Sequence, residues 1–429
     1  MKALINANIY DFVSFRENCY ILFDSEIRET GNMKDFKGAD EVIDCRGCIV
    51  MPGLINCHTH IYSIFSRGMS VPFNPKNFRD ILEQLWWKLD RQLDKEAVYY
   101  SGLVYGIDCI KNGVTSLIDH HASGLCIKGS LEELKKAICD ELGIRGIFCF
   151  ETSDRFNVDE CIEENMEFAR RRTEYHAGLF GLHASMSLSD ESLKKISSKI
   201  ESLPVHIHVA ESMDDVDDCI EKYNKRIVNR LEDFGLLNKN SILSHCVHLT
   251  EDEARVIKNR ECFVALNPTS NMNNAVGLGD YDMLRRNGVK CLIGNDGLGA
   301  NLTRDYLNIV FAMRNRLKSP IKFSLDDLIQ IIRNGYEYVG KILNIKIGRI
   351  KKGYKADIVA LPYIPPTPMD GNNASGHMFF GVFDNFRPKD VWISGKQLLR
   401  NYKPIFNEES IFSKAKEESL KVWGRVNKN

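Results

Sequence analysis

Eight short apolar runs, each divided from the next by a charged stretch of helical periodicity, constrain this chain more than any other feature. The runs are Ile49–Cys57, Val114–His120, Arg145–Glu151, Gly178–His183, Val205–Ala210, Ser241–His245, Cys262–Asn267 and Val289–Asn295. Each has the pattern of a strand buried on both faces. Helical periodicity runs through Leu131–Leu142, Val158–Arg172, Glu191–Ser202, Asp214–Phe234 and Asp252–Asn259. Gly113, Gly143, Gly235 and Gly288 stand between a helical stretch and the next run, where a left-handed residue ends a helix. Eight such repeats predict an α/β fold, a (β/α)8 TIM barrel over residues 51–345.

A barrel of ~250 residues leaves part of the chain over. Residues 1–50 and 346–429 alternate apolar and polar over short runs, broken by Gly31-Asn32, Lys37-Gly38 and a proline-rich loop at Pro362, Pro365, Pro366 and Pro368. This is the pattern of half-buried antiparallel strands. Neither flank is long enough for a good core. The expectation is one small β-sandwich built from both termini, followed by a charged helix over the last 20 residues.

Lys and Arg total 57 against 58 Asp and Glu, so the chain has no long-range attraction for nucleic acid or an anionic membrane. A hydrophobic content of 44% excludes disorder. No apolar run approaches the ~20 residues of a membrane helix, and MKALINANIYDF lacks a signal-peptide apolar core. A cytoplasmic protein is expected. The 13 cysteines are odd in number and scattered, with one CxxC pair, Cys45 and Cys48, so ordinary thiols are expected.

The 11 histidines cluster near strand ends. His58 and His60 are two apart on a strand and share a face, so both can reach one metal. His208 ends the fifth strand, with Glu211 just beyond. His245 ends the sixth, and Asp296 the eighth. In a barrel these ends open onto one face, where three imidazoles and a carboxylate suit Zn²⁺ or Fe²⁺. His206 lies one pleat deeper and reads as a core or supporting residue. His248 reads as a capping or surface residue, and His176 and His377 as surface or packing residues. One of His120 and His121 is placed toward the pocket.

Met51-Pro52-Gly53-Leu54-Ile55-Asn56-Cys57-His58-Thr59-His60 resembles the opening signature of the amidohydrolase superfamily. His208-Val209-Ala210-Glu211, Ser244-His245-Cys246-Val247-His248-Leu249, Asn267-Pro268-Thr269-Ser270-Asn271, Gly294-Asn295-Asp296-Gly297 and Ala356-Asp357-Ile358-Val359 resemble its later ones, in order. The likeness is to the deaminase and triazine-hydrolase branch. Asp119-His120-His121-Ala122-Ser123 and Glu151-Thr152-Ser153-Asp154-Arg155 resemble the SsnA group of aminohydrolases.

The resemblance implies that His58, His60, His208 and Asp296 bind one divalent metal, zinc or alternatively iron. It implies Glu211 as proton shuttle, with His245 beside the attacked carbon and Asp296 taking the water's proton. Binuclear members carry a lysine on the fourth strand; Gly178–His183 has none, which favours one metal. His183 resembles a substrate-contacting position. Arg155, beyond the third strand, is a candidate to read a carbonyl or anionic group. Arg67 lies in the first loop, which, with Trp86 and Trp87, is a candidate cover. Asn267 stands where the family often has His or Cys, and is taken as a substrate-side residue.

The function implied is deamination of an aminated purine, pterin or related ring by a metal-bound hydroxide. The rivals are hydrolysis of a cyclic amide or carbon–halogen bond at the same site, and a non-catalytic scaffold. The expected partner is a small heterocycle, without nucleic acid or membrane; a homodimer is expected by analogy only.

Overall fold

The computed structural model describes residues 1–428; Asn429, the end of the expected second flank, lies outside them. The N-terminal flank forms β1 (Lys2–Tyr10), β2 (Phe15–Phe23), β3 (Ile27–Asn32), β4 (Glu41–Asp44) and β5 (Cys48–Pro52). Next come β6 (Leu54–Thr59), β7 (Val114–His121), β8 (Arg145–Phe150), β9 (His176–Gly178), β10 (Phe180–Ala184), β11 (Val205–Val209), β12 (Ile242–His245), β13 (Phe263–Leu266) and β14 (Lys290–Ile293). The chain ends with β15 (Ile358–Pro362), β16 (Asp390–Ile393), β17 (Lys396–Arg400), β18 (Lys403–Pro404) and a helix at Glu408–Val426.

The central strands form two parallel sheets, β6-β7-β8-β9 and β10-β11-β12-β13-β14. Isolated bridges join them, Thr152 to Leu182 at one seam and Thr59 to Asp296 at the other. At the first seam His183 N donates to Thr152 O at 3.0 Å; at the second Asp296 N donates to His58 O at 3.0 Å. The ladder is therefore not continuous around the circle. Helices fill the connections, and Gly113, Gly143, Gly235 and Gly288 all have φ between 67° and 74°, as their place after helices requires.

Three expected elements divide. The run at Ile49–Cys57 is two strands: β5 pairs with β1 and β15, while β6 pairs with β7. The change of sheet falls at Gly53, where an added Cβ would lie 2.1 Å from the Thr115 side chain. The run at Gly178–His183 divides at Leu179, whose N–H donates to Phe148 O while that of Phe180 donates to Pro204 O. The helix expected over Asp214–Phe234 is two, Met213–Tyr223 and Ile227–Asp233, the first ended by left-handed Asn224 with φ 52°.

Both flanks do come together, but as one nine-stranded sheet rather than two stacked ones among the described residues. Its order is β18-β17-β16-β15-β5-β1-β2-β3, with β4 beside β1. It is mixed, because β1 runs parallel to β4 and β5. The sheet curls on itself: Ile27 N donates to Tyr354 O at 2.8 Å and Ala356 N to Ser25 O at 3.0 Å. It encloses its own core of Leu4, Ile9, Phe23, Val50, Ile358 and Trp392. No helix among the described residues is long and apolar enough to cross a membrane. The 13 cysteines are buried and unbridged among those residues.

One buried ion pair links this sheet to the parallel strands. Arg145 in β8 donates Nε to Asp357 Oδ2 at 2.8 Å and Nη2 to Asp357 Oδ1 at 3.0 Å. The guanidinium also reaches Ser394 Oγ at 2.6 Å and Glu174 O at 2.6 Å. Removing one partner strands the other charge in a dry place, which costs about 3–5 kcal/mol. Asp357→Ala is expected to lower unfolding free energy by about that much in a urea titration. A loss below ~1 kcal/mol would mean that the pair is a bystander, as exposed pairs are.

Candidate metal centre and active-site cleft

The predicted ligands converge. His58 Nε2 and His60 Nε2 lie 3.3 and 3.0 Å from Asp296 Oδ1. His60 Nε2 and His208 Nε2 are 3.2 Å apart. Ligand atoms of His58, His208, His245 and Asp296 all fall within 4.8 Å of one another, and His60 joins through its contacts to Asp296 and His208. The strand ends around this point are strained: Ala210, His245, Cys246 and Asp296 have φ of 48°, 70°, 52° and 55°. Left-handed non-glycine residues of this kind each cost of order 1–3 kcal/mol and gather at functional sites.

The imidazoles are aimed by bonds on their far side. His60 Nδ1 donates to His120 O at 2.7 Å and His208 Nδ1 to His183 O at 2.8 Å. His245 Nδ1 donates to Asn271 Oδ1 at 2.7 Å. A carbonyl can only accept, so these nitrogens carry the proton and each Nε2 is left as a lone pair. His58 Nδ1 lies 2.9 Å from His206 Nε2 and 3.1 Å from Ser244 Oγ, while Nε2 of His58 and of His245 is buried without a hydrogen-bond partner. Lone pairs facing each other beside a carboxylate repel unless positive charge lies among them. The donor set fits a divalent metal.

Electrostatics agrees. Burial tends to raise the carboxyl pKa of Asp296, but the close imidazoles of His58 and His60 outweigh it and hold the group well below its usual range. Burial disfavours charge on His60, yet Asp296 carries its pKa up to about 9, so with no metal beside it this ring takes on Nε2 the positive charge that a metal would otherwise supply. Burial pushes His58 down to about 3 and His208 well below its usual value. Glu211 lies 3.5 Å from His245 Nε2, and burial, partly opposed by His245, pushes it up to about 7.

His60, His208, Glu211 and Asp296 floor an open cleft walled by Tyr62, Phe78, Leu82, Trp86, Trp87 and His183, while His58 and His245 stand outside its lining. The family model described as "Amidohydrolase family" matches residues 49–398. This chain belongs to the amidohydrolase family.

A curated relative named 5'-deoxyadenosine deaminase, from Methanococcus vannielii, is 29% identical over 424 residues, covering 92% of this chain and 94% of its own. A solved adenosine deaminase from Xanthomonas campestris with bound zinc superposes with TM-score 0.84 at 19% identity, covering 100% of this chain and 99% of that one. The atrazine chlorohydrolase TrzN of Arthrobacter aurescens, with zinc, has TM-score 0.80 at 17% identity over 98% and 100% of the two chains. These two structures show a shared fold.

Within this amidohydrolase, His183 lines the cleft and its Nδ1 meets Ser187 Oγ at 2.7 Å. His206 sits behind His58, as expected. His248 bonds Val276 O at 3.0 Å away from the centre. Neither His120 nor His121 lines the cleft: His120 Nε2 points to Leu182 O and His206 O, and His121 Nε2 to Ser123 Oγ.

Three of the substrate-side candidates lie outside the cleft lining. Arg155 is spent on carboxylates, with Nη1 and Nη2 on Asp90 at 3.2 and 2.9 Å and Nη2 on Glu151 at 2.5 Å. Its guanidinium also packs over Trp87, 4.8 Å from the ring centre. Arg67 stays outside the cleft, with a side chain 64% exposed and 3.3 Å from Asp108. Asn267 is fully buried and outside the cleft lining, its Nδ2 donating to Ala265 O at 3.4 Å. Trp86 and Trp87 wall the cleft.

The sequence reading missed Ser270 and Asn274. Ser270 Oγ donates to Asp296 Oδ2 at 2.5 Å, and Asn274 reaches Glu211 Oε1 at 3.5 Å. Their short helix, Pro268–Asn273, is tied down by Asp305, whose Oδ1 accepts from Thr269 N at 3.2 Å. Burial pushes Asp305 from 3.8 up to about 7. The unfolded chain thus releases this proton before the folded one, so stability falls as pH rises from about 4 through about 7. The melting temperature of Asp305→Asn relative to the parent is expected to climb over that interval. A flat difference across pH 4–8 would contradict a buried, reluctantly ionised Asp305. For the metal centre, His58→Ala purified without chelators is expected to hold less than about a tenth of the parent's metal by elemental analysis. Parent-like content would remove His58 from the centre.

Proposed function

We propose that the chain is an aminohydrolase that deaminates an aminated heterocycle, a purine, pterin or related ring, with one zinc ion held by His58, His60, His208 and Asp296. In this reading the two parallel arcs work as one barrel over residues 51–345, and the flanking sheet buttresses it. The observation that carries it is the pair of carboxylates bordering one cleft in opposite states: Asp296 held ionised, Glu211 poised at about 7. Paired groups pushed apart in this way mark the base and the acid.

A divalent metal held by His58, His60, His208 and Asp296 would supply Lewis acidity, making a water acidic enough to attack near neutral pH. Asp296 accepts the proton that this water loses as its oxygen adds to the amino-bearing ring carbon. Protonated Glu211 donates to the adjacent ring nitrogen and makes that carbon electrophilic. His245, with Nδ1 fixed by Asn271, presents its Nε2 side to the same carbon and steadies charge developing on oxygen. The proton taken by Asp296 passes to the exocyclic nitrogen, its bond to carbon breaks and ammonia leaves, while the added hydroxyl returns its proton to Glu211 and the ring carbonyl forms. Tyr62, Trp86, Trp87 and His183 line the cleft in which the ring would sit. Arg155, the guanidinium nearest this wall, is already paired with Asp90 and Glu151, which favours an uncharged ring such as a nucleoside or free base.

Glu211→Gln is expected to keep its metal and to lower kcat for ammonia release by about 10²–10⁴-fold on whichever aminated ring the parent turns over. Near-parent turnover would refute the proton role of Glu211. Hydrolysis of a cyclic amide, with no ammonia from any purine or pterin, would refute deamination.

A further inference from the structure

One turn of chain grips all three groups that handle charge in the reaction. It begins with Pro268, whose fixed φ suits the first position of a helix. Asn271 Oδ1 accepts from His245. Asn274 Nδ2 donates to Ser270 Oγ at 3.3 Å and to Glu211 Oε1 at 3.5 Å. Ser270, 2% exposed, donates to Asp296 Oδ2 at 2.5 Å. An amide NH₂ can only donate, so the Ser270 hydroxyl must accept from Asn274. Its single proton is then committed to Asp296. The result is a directed chain in which Asn274 fixes Ser270 and Ser270 fixes Asp296, while the same amide touches Glu211.

We propose that Ser270 is the positioning residue that aims Asp296 Oδ1 at the metal, and that Asn274 sets the direction of its hydroxyl while tying Glu211 to the same turn. Asp296 has two oxygens. Oδ1 lies between His58 and His60, and Oδ2 is held from behind by Ser270. Without that bond the carboxylate is free to rotate about its last torsion and turn Oδ1 away from the imidazoles. The inference rests on the deaminase reading only for the proton that Asp296 accepts; its hold on the metal does not depend on the substrate.

The test is the zinc affinity of the full chain, measured by competition with a chromophoric chelator at fixed pH, alongside kcat and KM. Ser270→Ala is expected to weaken zinc binding by about 10–100-fold, the range for lost partners of a ligand. Ser270→Thr, which keeps the hydroxyl, is expected to stay within about threefold of the parent. Asn274→Leu should weaken zinc by at least about threefold but less than Ser270→Ala, and the double variant should bind no more weakly than Ser270→Ala alone, because the effect of Asn274 passes through Ser270. In turnover the Ser270→Ala loss should fall on kcat rather than KM.

Zinc affinity within about twofold of the parent in Ser270→Ala, or losses that add in the double variant, would overturn the proposal. If Ser270→Ala fails to fold, Asn274→Leu decides: unchanged zinc affinity overturns it. If the parent releases no ammonia from any aminated ring, the deaminase reading fails while the zinc comparison still settles the role of Ser270.

Discussion

Crowded lone pairs around one carboxylate oxygen are what the rest of the molecule is arranged to sustain. Asp296 Oδ1 lies within 3.3 Å of two imidazole nitrogens, and a third faces one of them at 3.2 Å. Such an arrangement is unfavourable for bare neutral imidazoles and favourable around a cation. The molecule enforces it from behind, through carbonyls of His120 and His183 and the side chain of Asn271. It also bears the backbone strain at Ala210, His245, Cys246 and Asp296. Second partners of this type fix ring orientation and raise ligand basicity.

The scaffold explains how residues from distant parts of the chain hold these distances. Parallel strands deliver their C-terminal ends to one side, and the seam between β6 and Asp296 is itself a bridge carried by the metal-binding segment. Below it, Thr59 Oγ1 meets the Tyr105 hydroxyl at 2.6 Å and donates to Asp296 O at 3.0 Å. The flanking sheet is clamped on by Arg145 and Asp357. That carboxylate belongs to the tail signature Ala356-Asp357-Ile358-Val359, so a segment remote from the chemistry has a mechanical part in it.

Much of this was legible in the sequence, because the parallel strands are buried on both faces and announce themselves as apolar runs. The candidate ligands were legible because His58 and His60 share the spacing of one strand face. The divisions at Gly53 and Leu179 were hidden, since an apolar run stays continuous while its hydrogen-bonding partners change. The parallel pairing of β1 was hidden as well, because period-two alternation is the same for either direction of the neighbour. The pairing of Arg155 was hidden because Asp90, its partner, arrives from a helix 65 residues earlier. Ser270 and Asn274 escaped notice because polar residues after a proline resemble ordinary helix-start capping until Asp296 and Glu211 are brought beside them.

The central claim is that one metal at this centre is required for deamination. Metal-free protein titrated with zinc, with ammonia release from an aminated purine or pterin followed at each addition, tests it most directly. Turnover should rise in proportion to added zinc and level off at one equivalent per chain. Full turnover in the metal-free protein, or a rise that continues to two equivalents, would contradict the account.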